Sequence, residues 1–416
     1  MSTTALTQAF DLIEQAPDLR EALAPLLKYR ASLLASDSVT TFEPSFPLKK
    51  MLIWLCGFSC DRGLFKKAFP AASVEETAYF QHVQAALARD EEPPLEWLER
   101  AVRHIDRWLE TGHFAFAGYY TLRRLHFLTR GYTTLWIRYL HQQILPVAPA
   151  NAGSVFSSLP KPQKQALYSE GYAQWAQQLS RETCAAIETF ARNTRAKPAY
   201  HDPNTSQPAY LLFEPERPVA RRYDFDAHEM WRCPEIQAVA AQERWFTYAS
   251  DFLQSPARLV QAYFWWSVAT DLPESRTTGQ VFHVDLDRFH FVNCFFYITD
   301  VSIDNGPHQY VAGSQAPPPL ELAVDQRWTE QELLAVYGEK ALRTLTGSAG
   351  DVILGDTRAF HRGKPLTKGV RLMLQLEFAS STLSDPAPVI TLPNNLSPEL
   401  TAALQQRPEA YPIFAL

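Results

Sequence analysis

Apolar positions recur every three or four residues in the first part of the chain and every two residues, or without interruption, in the last part. Leu95, Leu98, Val102, Ile105 and Leu109 form one stripe, which predicts a helix over 95–110 that buries a single face. Thr111-Gly112 supplies a stop. Tyr119, Tyr120, Trp136 and Tyr139 make the following stretch aromatic, in keeping with packing between helices. Residues 163–195 hold one glycine and no proline, and they space Trp175, Leu179, Ala186 and Phe190 at helical intervals. Residues 1–196 therefore read as a helical domain.

The pattern breaks at 197–222. Pro198, Pro203, Pro208, Pro215 and Pro218 interrupt any stripe, so this stretch reads as a linker or an irregular crossing segment. From 223 to 416 the period shifts toward two. Residues 258–268 (RLVQAYFWWSV) are β-branched and aromatic, and 289–299 (FHFVNCFFYIT) read as a strand covered on both faces. Leu372, Leu374, Leu376 and Phe378 alternate with Met373, Gln375 and Glu377. Thr329 and Glu332 form a capping-box pattern that starts one helix among the strands. Strand-rich sequence without regular β-α alternation predicts an antiparallel double sheet or jelly roll, and an α+β protein as a whole.

Composition narrows the function classes. A chain of 416 residues that is 46% hydrophobic has enough apolar material for a large core, which argues against disorder. Net charge is −6 with the signs interspersed, so nothing matches the basic footprint of a nucleic-acid binder. No stretch approaches the roughly 20 apolar residues of a membrane span, and the first residues do not read as a secretory signal. The expectation is a soluble, cytoplasmic protein. Five cysteines, an odd number, do not suggest a disulfide framework. Cys56 and Cys60 lie one helical turn apart and read as small buried apolar residues.

The candidate chemistry begins at His283-Val284-Asp285. In a strand, alternate side chains share a face, so His283 and Asp285 reach into one space. A second imidazole from elsewhere would complete the two-His, one-carboxylate set typical of non-haem Fe(II). His361, in the stretch GDTRAFHRG, is the candidate. Arg371 lies ten residues further on, where its planar fork suits the far carboxylate of a dicarboxylate whose other end chelates the metal. The bland alternatives are a chance HxD, a core histidine and a structural salt bridge. His290 and His308 are set aside as ligands, and the remaining histidines share no ligand spacing.

From Tyr223 to Ser380 the chain resembles the phytanoyl-CoA dioxygenase family of Fe(II)/2-oxoglutarate oxygenases. The resemblance rests on pieces in order: Gln280 to Asp285, Tyr297 to Val301, Asn305-Gly306-Pro307 leading to Gly313-Ser314, Gly350-Asp351, Asp356 to Gly363, and Arg371. It implies a double-stranded β-helix (jelly-roll) core. It implies Fe(II) on His283, Asp285 and His361, and 2-oxoglutarate anchored by Arg371 with further contacts from Gln280 and Tyr297. It also implies O2-dependent hydroxylation of a small metabolite at an unactivated C–H bond, with release of succinate and CO2. Halogenating relatives lack the carboxylate, so the presence of Asp285 favours hydroxylation, with desaturation and ring formation left open. Two features depart from the family pattern: Gln315 follows Gly313-Ser314 where His is common, and Asn293-Cys294 stands where many relatives carry Lys. Competing readings are a protein-modifying oxygenase, a non-catalytic metal-binding scaffold of the same fold, and a cupin-like enzyme that needs no 2-oxoglutarate.

Overall fold

The structure is a computed structural model. It describes residues 123, 126–127, 158–199, 209–253, 255–272, 279–286, 288, 290–315, 318, 320–322, 324–380 and 389–415. The helix expected over 95–110, its stop, the aromatic stretch that follows, and Cys56 and Cys60 lie outside the described residues. The chain divides into two compact units, one of residues 1–147, 317–325 and 383–386, the other of 148–316, 326–382 and 387–416. Within the first, Arg123 pairs with Asp325 at 2.7 Å. Everything below concerns the second.

Its elements run α1 (Lys161–Glu170), β1 (Tyr172–Trp175), α2 (Arg181–Asn193), β2 (Ala196–Pro198), β3 (Arg222–Phe225), α3 (Pro234–Ala241), α4 (Glu243–Leu253), β4 (Arg258–Val268), β5 (Phe291–Tyr297), β6 (His308–Val311), α5 (Glu330–Tyr337), β7 (Leu342–Leu345), β8 (Val352–Gly355), β9 (His361–Gly363), β10 (Val370–Ala379), β11 (Ile390–Thr391), α6 (Pro398–Gln406) and β12 (Phe414–Ala415). Among the described residues, one sheet has the order β1-β8-β5-β10-β4-β3-β2 and a smaller one β7-β6-β9, and all these pairings are antiparallel. This is the antiparallel, jelly-roll-like core expected.

Alternation along β10 separates two cores. Leu372, Leu374, Leu376 and Phe378 join Trp245 and Phe246 of α4 and Ile236 of α3 in one buried cluster. Met373 faces the other way, with Trp265, Phe295, Tyr297 and Ile353. The second face is the interior between the sheets. A period of two thus decides which residues can reach a ligand there. β5 is buried at every position, as its unbroken apolar run requires. α2 begins at Ser180, whose hydroxyl accepts from the Thr183 amide at 3.1 Å, and buries Cys184, Ile187 and Ala191 along one stripe. The capping box at Thr329 and Glu332 is formed. The helix it opens ends at Gly338. Cys184, Cys233 and Cys294 are free and buried.

Two expectations need correction. The stretch 163–195 is not one helical run. Gly171 adopts φ +87°, which ends α1, and β1 then pairs with β8. Trp175 belongs to that strand and stacks on Tyr248 of α4, so tertiary pairing overrides a local helical spacing. The domain boundary at 197–222 also fails to separate two bodies. Its ends lie in β2 and β3, adjacent strands of the large sheet, and Leu211 bridges to Ala196. At its described residues the backbone bonds to the sheet, Leu211 to Ala196 and the Ala199 amide to the Arg222 carbonyl.

Phe378→Ala is expected to cost about 3–5 kcal/mol, because its ring is fully buried and meets Phe246 edge-on at 5.0 Å. Denaturant unfolding checks this; a loss under about 1 kcal/mol would show that the helix layer does not anchor the sheet.

Candidate metal centre

His283 and His361 face each other across an antiparallel bridge. The His283 amide donates to the His361 carbonyl at 3.0 Å, and the His361 amide returns the bond at 2.9 Å. The Asp285 amide donates to the Thr357 carbonyl at 2.8 Å, so the two segments run side by side. This pairing brings the imidazole centroids within 4.4 Å and lets Asp285, two residues on, reach the same space. Ligand atoms from His283, Asp285 and His361 all lie within 4.8 Å of one another.

The imidazoles are aimed by their own backbones. Nδ1 of His283 lies 2.8 Å from the Val281 carbonyl, and Nδ1 of His361 lies 2.9 Å from the Ala359 carbonyl. A carbonyl only accepts, so each Nδ1 carries a proton, and in the neutral, metal-binding form of the ring Nε2 keeps the lone pair. Both Nε2 atoms then point at Asp285, at 3.4 Å and 3.2 Å from its oxygens. Acceptors converge on acceptors, an arrangement that asks for a cation between them. Protonation states agree. Burial, and then the neighbouring His361, pull the His283 imidazole down to about 3. Burial would push the Asp285 carboxyl up, but His361, His283 and Arg327 outweigh it and hold it below the usual carboxylate range. A neutral imidazole and an ionised carboxylate are the ligating forms.

A cavity of about 200 Å³ opens beside these groups, walled by Arg222, Tyr263, Trp265, His308, Arg371 and Gln375 among others. Arg371 is 4% exposed, and no carboxylate lies within ion-pair distance of it among the described residues. Its Nη1 donates to the Gly306 carbonyl and its Nη2 to Ser267 Oγ at 3.4 Å. Burial pulls its guanidinium down to about 10, so it stays charged at neutral pH. The position is built for it. Asn305-Gly306-Pro307 turns through φ +85° at Gly306 to present that carbonyl, and Gly363 leaves the space, since a Cβ there would meet Nη2 at 3.0 Å.

Other sequence candidates are placed differently. The Tyr297 hydroxyl donates to the Leu345 carbonyl at 2.6 Å and accepts from the His308 amide at 3.1 Å. It staples β5 to the small sheet, and the co-substrate contact expected of it is not what this geometry offers. Gln280 is buried with neither amide atom hydrogen-bonded, but it is not among the cavity-lining residues. Asn293, at the family's Lys position, donates to Thr357 Oγ1 at 2.8 Å and accepts from Gln375 at 2.9 Å. It thereby braces the segment that receives Asp285. Gln315 donates to the Tyr168 carbonyl at 2.7 Å. His290 bonds to Ser380 at 2.9 Å, away from the triad. His308, set aside as a ligand, nonetheless lines the cavity. Sequence reading also missed Arg222, Tyr263, Trp265, Arg327 and Gln375. Only Gln375 carried a signal, as a polar residue on the inward side of β10.

Residues 167–373 match the family model described as phytanoyl-CoA dioxygenase (PhyH), which bears out the resemblance over that segment. A search of curated proteins finds no match. Among solved structures, the chain is similar to the non-heme alpha-ketoglutarate-dependent carbocyclase SnoK from nogalamycin biosynthesis, at 17% identity, 53% of this chain, 84% of that one and a TM-score of 0.37. It is similar to HygX from Streptomyces hygroscopicus with nickel and 2-oxoglutarate bound, at 17% identity, 55% and 89% coverage and 0.38. EctD from S. alaskensis in its apoform gives 19%, 58% and 90%, and 0.39.

A buried cation without a counter-ion is a stability cost. Arg371→Met is therefore expected to leave the ligand-free protein at least as stable as the parent, as read by its Tm in calorimetry. A fall of more than about 2 kcal/mol would mean that the guanidinium holds the fold together rather than waiting for an anion.

Proposed function

We infer, on the premise of the PhyH-family match over residues 167–373, that this chain is an Fe(II)- and 2-oxoglutarate-dependent oxygenase that hydroxylates a small metabolite. The single observation that carries the reading is the convergence of two backbone-fixed Nε2 lone pairs and the Asp285 carboxylate beside a cavity that ends in a buried, uncompensated Arg371.

The residues fit the implied groups. Two imidazoles and one carboxylate on one side of a metal leave its other positions open to ligands, as non-haem Fe(II) oxygenases require. Arg371 would bind the distal carboxylate of 2-oxoglutarate bidentately, which neutralises its buried charge. When bound, the iron, 2-oxoglutarate and O2 together supply the oxidant that breaks a C–H bond, with succinate and CO2 as by-products.

The chain's own residues orient and shield. The His283–His361 bridge sets the spacing of the imidazoles, the carbonyls of Val281 and Ala359 fix their tautomers, and Asn293 with Gln375 braces the Thr357 segment. Tyr263, Trp265 and Phe295 give the cavity aromatic walls that exclude water and present flat apolar surface to a substrate. A cavity of about 200 Å³ supports a small molecule over a macromolecular segment. The presence of Asp285 supports hydroxylation, since the carboxylate occupies the position that a halide would need.

Anaerobic titration of the protein with Fe(II) and then 2-oxoglutarate is expected to give a weak visible charge-transfer band that needs both additions. The band should vanish in His361→Ala. In Arg371→Ala it should need at least about tenfold more 2-oxoglutarate. Iron binding without a band would favour the cupin-like or scaffold reading, and absence of iron binding would sink the assignment.

A further inference from the structure

We propose that His308 is a positioning residue that donates a hydrogen bond from its imidazole to the dicarboxylate co-substrate lying between Arg371 and the metal triad. This rests on the oxygenase reading above and assigns that site a residue which neither the ligand set nor the anion anchor includes.

The imidazole of His308 is 5% exposed, and neither ring nitrogen has a hydrogen-bond partner. A buried polar ring without partners is a cost that a fold tolerates when a ligand completes it. Its ring lines the cavity. Its place in the sheet puts it between the two ends of the ligand. In the register of β6 with β9, His308 stands opposite Gly363, the residue whose missing side chain accommodates the Arg371 guanidinium. From there the ring lies nearly parallel to that of His361, at 5.8 Å between centroids and 20° between planes. Phe295 at 4.5 Å and Tyr310 at 5.4 Å hold it from the sides.

The fold does not need the imidazole. The His308 backbone already makes the structural contact, its amide donating to the Tyr297 hydroxyl, and a Leu or Phe would serve the ladder equally well. Nor is the ring part of the metal set, which is complete with His283, Asp285 and His361. What it offers the cavity is an N–H donor, which an imidazole carries whether neutral or protonated. A dicarboxylate stretched from Arg371 to the metal passes this ring, and its oxygens are acceptors.

The test uses the full chain, reconstituted with Fe(II) under anaerobic conditions and titrated with 2-oxoglutarate, with the visible charge-transfer band as readout. Fe(II) affinity is measured separately before the co-substrate is added. His308→Phe and His308→Leu remove the donor while keeping the site filled, and His308→Gln restores one. The expected result is a 2-oxoglutarate dissociation constant raised roughly tenfold or more in the Phe and Leu variants. Fe(II) affinity should be unchanged, and the Gln variant should lie near the parent. Unchanged 2-oxoglutarate affinity in the Leu variant would overturn the assignment, as would a Gln variant as weak as the Leu variant or a parallel loss of Fe(II) binding. A parent protein that binds Fe(II) but gives no band on adding 2-oxoglutarate would overturn the oxygenase reading itself, and this assignment with it.

Discussion

The site depends on one short piece of antiparallel pairing. Two hydrogen bonds between His283 and His361, and a third from Asp285 to Thr357, tie together segments that are far apart in sequence. The pairing does two things at once. It fixes the distance between the imidazoles, and it makes the carbonyls two residues before each histidine available to its own Nδ1. Ring orientation and tautomer are therefore consequences of backbone geometry, and the second carboxylate or water that many metal sites use for this purpose is not required. The larger sheet braces the pairing: β8 leads into the Thr357 segment, Asn293 of β5 donates to Thr357 Oγ1 at 2.8 Å, and both strands are buried throughout.

A second constraint follows from charge. The interior between the sheets holds the Asp285 carboxylate near one end and the Arg371 guanidinium near the other. Each is costly in a buried place without its complement. Under the proposed function, a divalent cation would answer the first and a carboxylate the second, and one chelating dicarboxylate would link the two. The cavity is thus specified more by unsatisfied polarity than by shape. His308, which lines the cavity and is buried without hydrogen-bond partners, extends that pattern beyond the residues usually sought in such a site.

Glycine placement shows how closely the backbone serves these charges. Gly363 is tolerated in β9 because a side chain there would displace the guanidinium, and Gly306 turns left-handed to offer it a carbonyl. At the corner leading into β8, Gly350 carries φ +96°, and a Cβ would come within 2.3 Å of the Leu179 carbonyl. There the turn brings β8 against the segment after β1, which closes that edge of the large sheet.

The amino-acid sequence by itself determined the strands that bear the chemistry. Period-two alternation marked β10 and sorted its side chains onto two faces, the apolar run marked β5, and HxD spacing put His283 and Asp285 on one face, because these are local consequences of pleated geometry, while which face of β10 looks inward was settled by packing. His361 and Arg371 were legible as candidates for a second imidazole and an anion-binding fork, and the family resemblance supplied their places in the fold. Tertiary structure decided the rest. Trp175 looked helical because its spacing is helical, yet pairing with β8 is worth more than continuing a helix past Gly171. Tyr297 looked like a ligand contact, and only the packing of β5 against β6 and β7 shows its hydroxyl already spent on two backbone groups. His308 looked inert, and only the register of β6 with β9 sets its ring between the anion anchor and the triad. Local periodicity tells which face a side chain takes. Which other chain segment lies across from that face is a long-range property, and for these residues it decides the role.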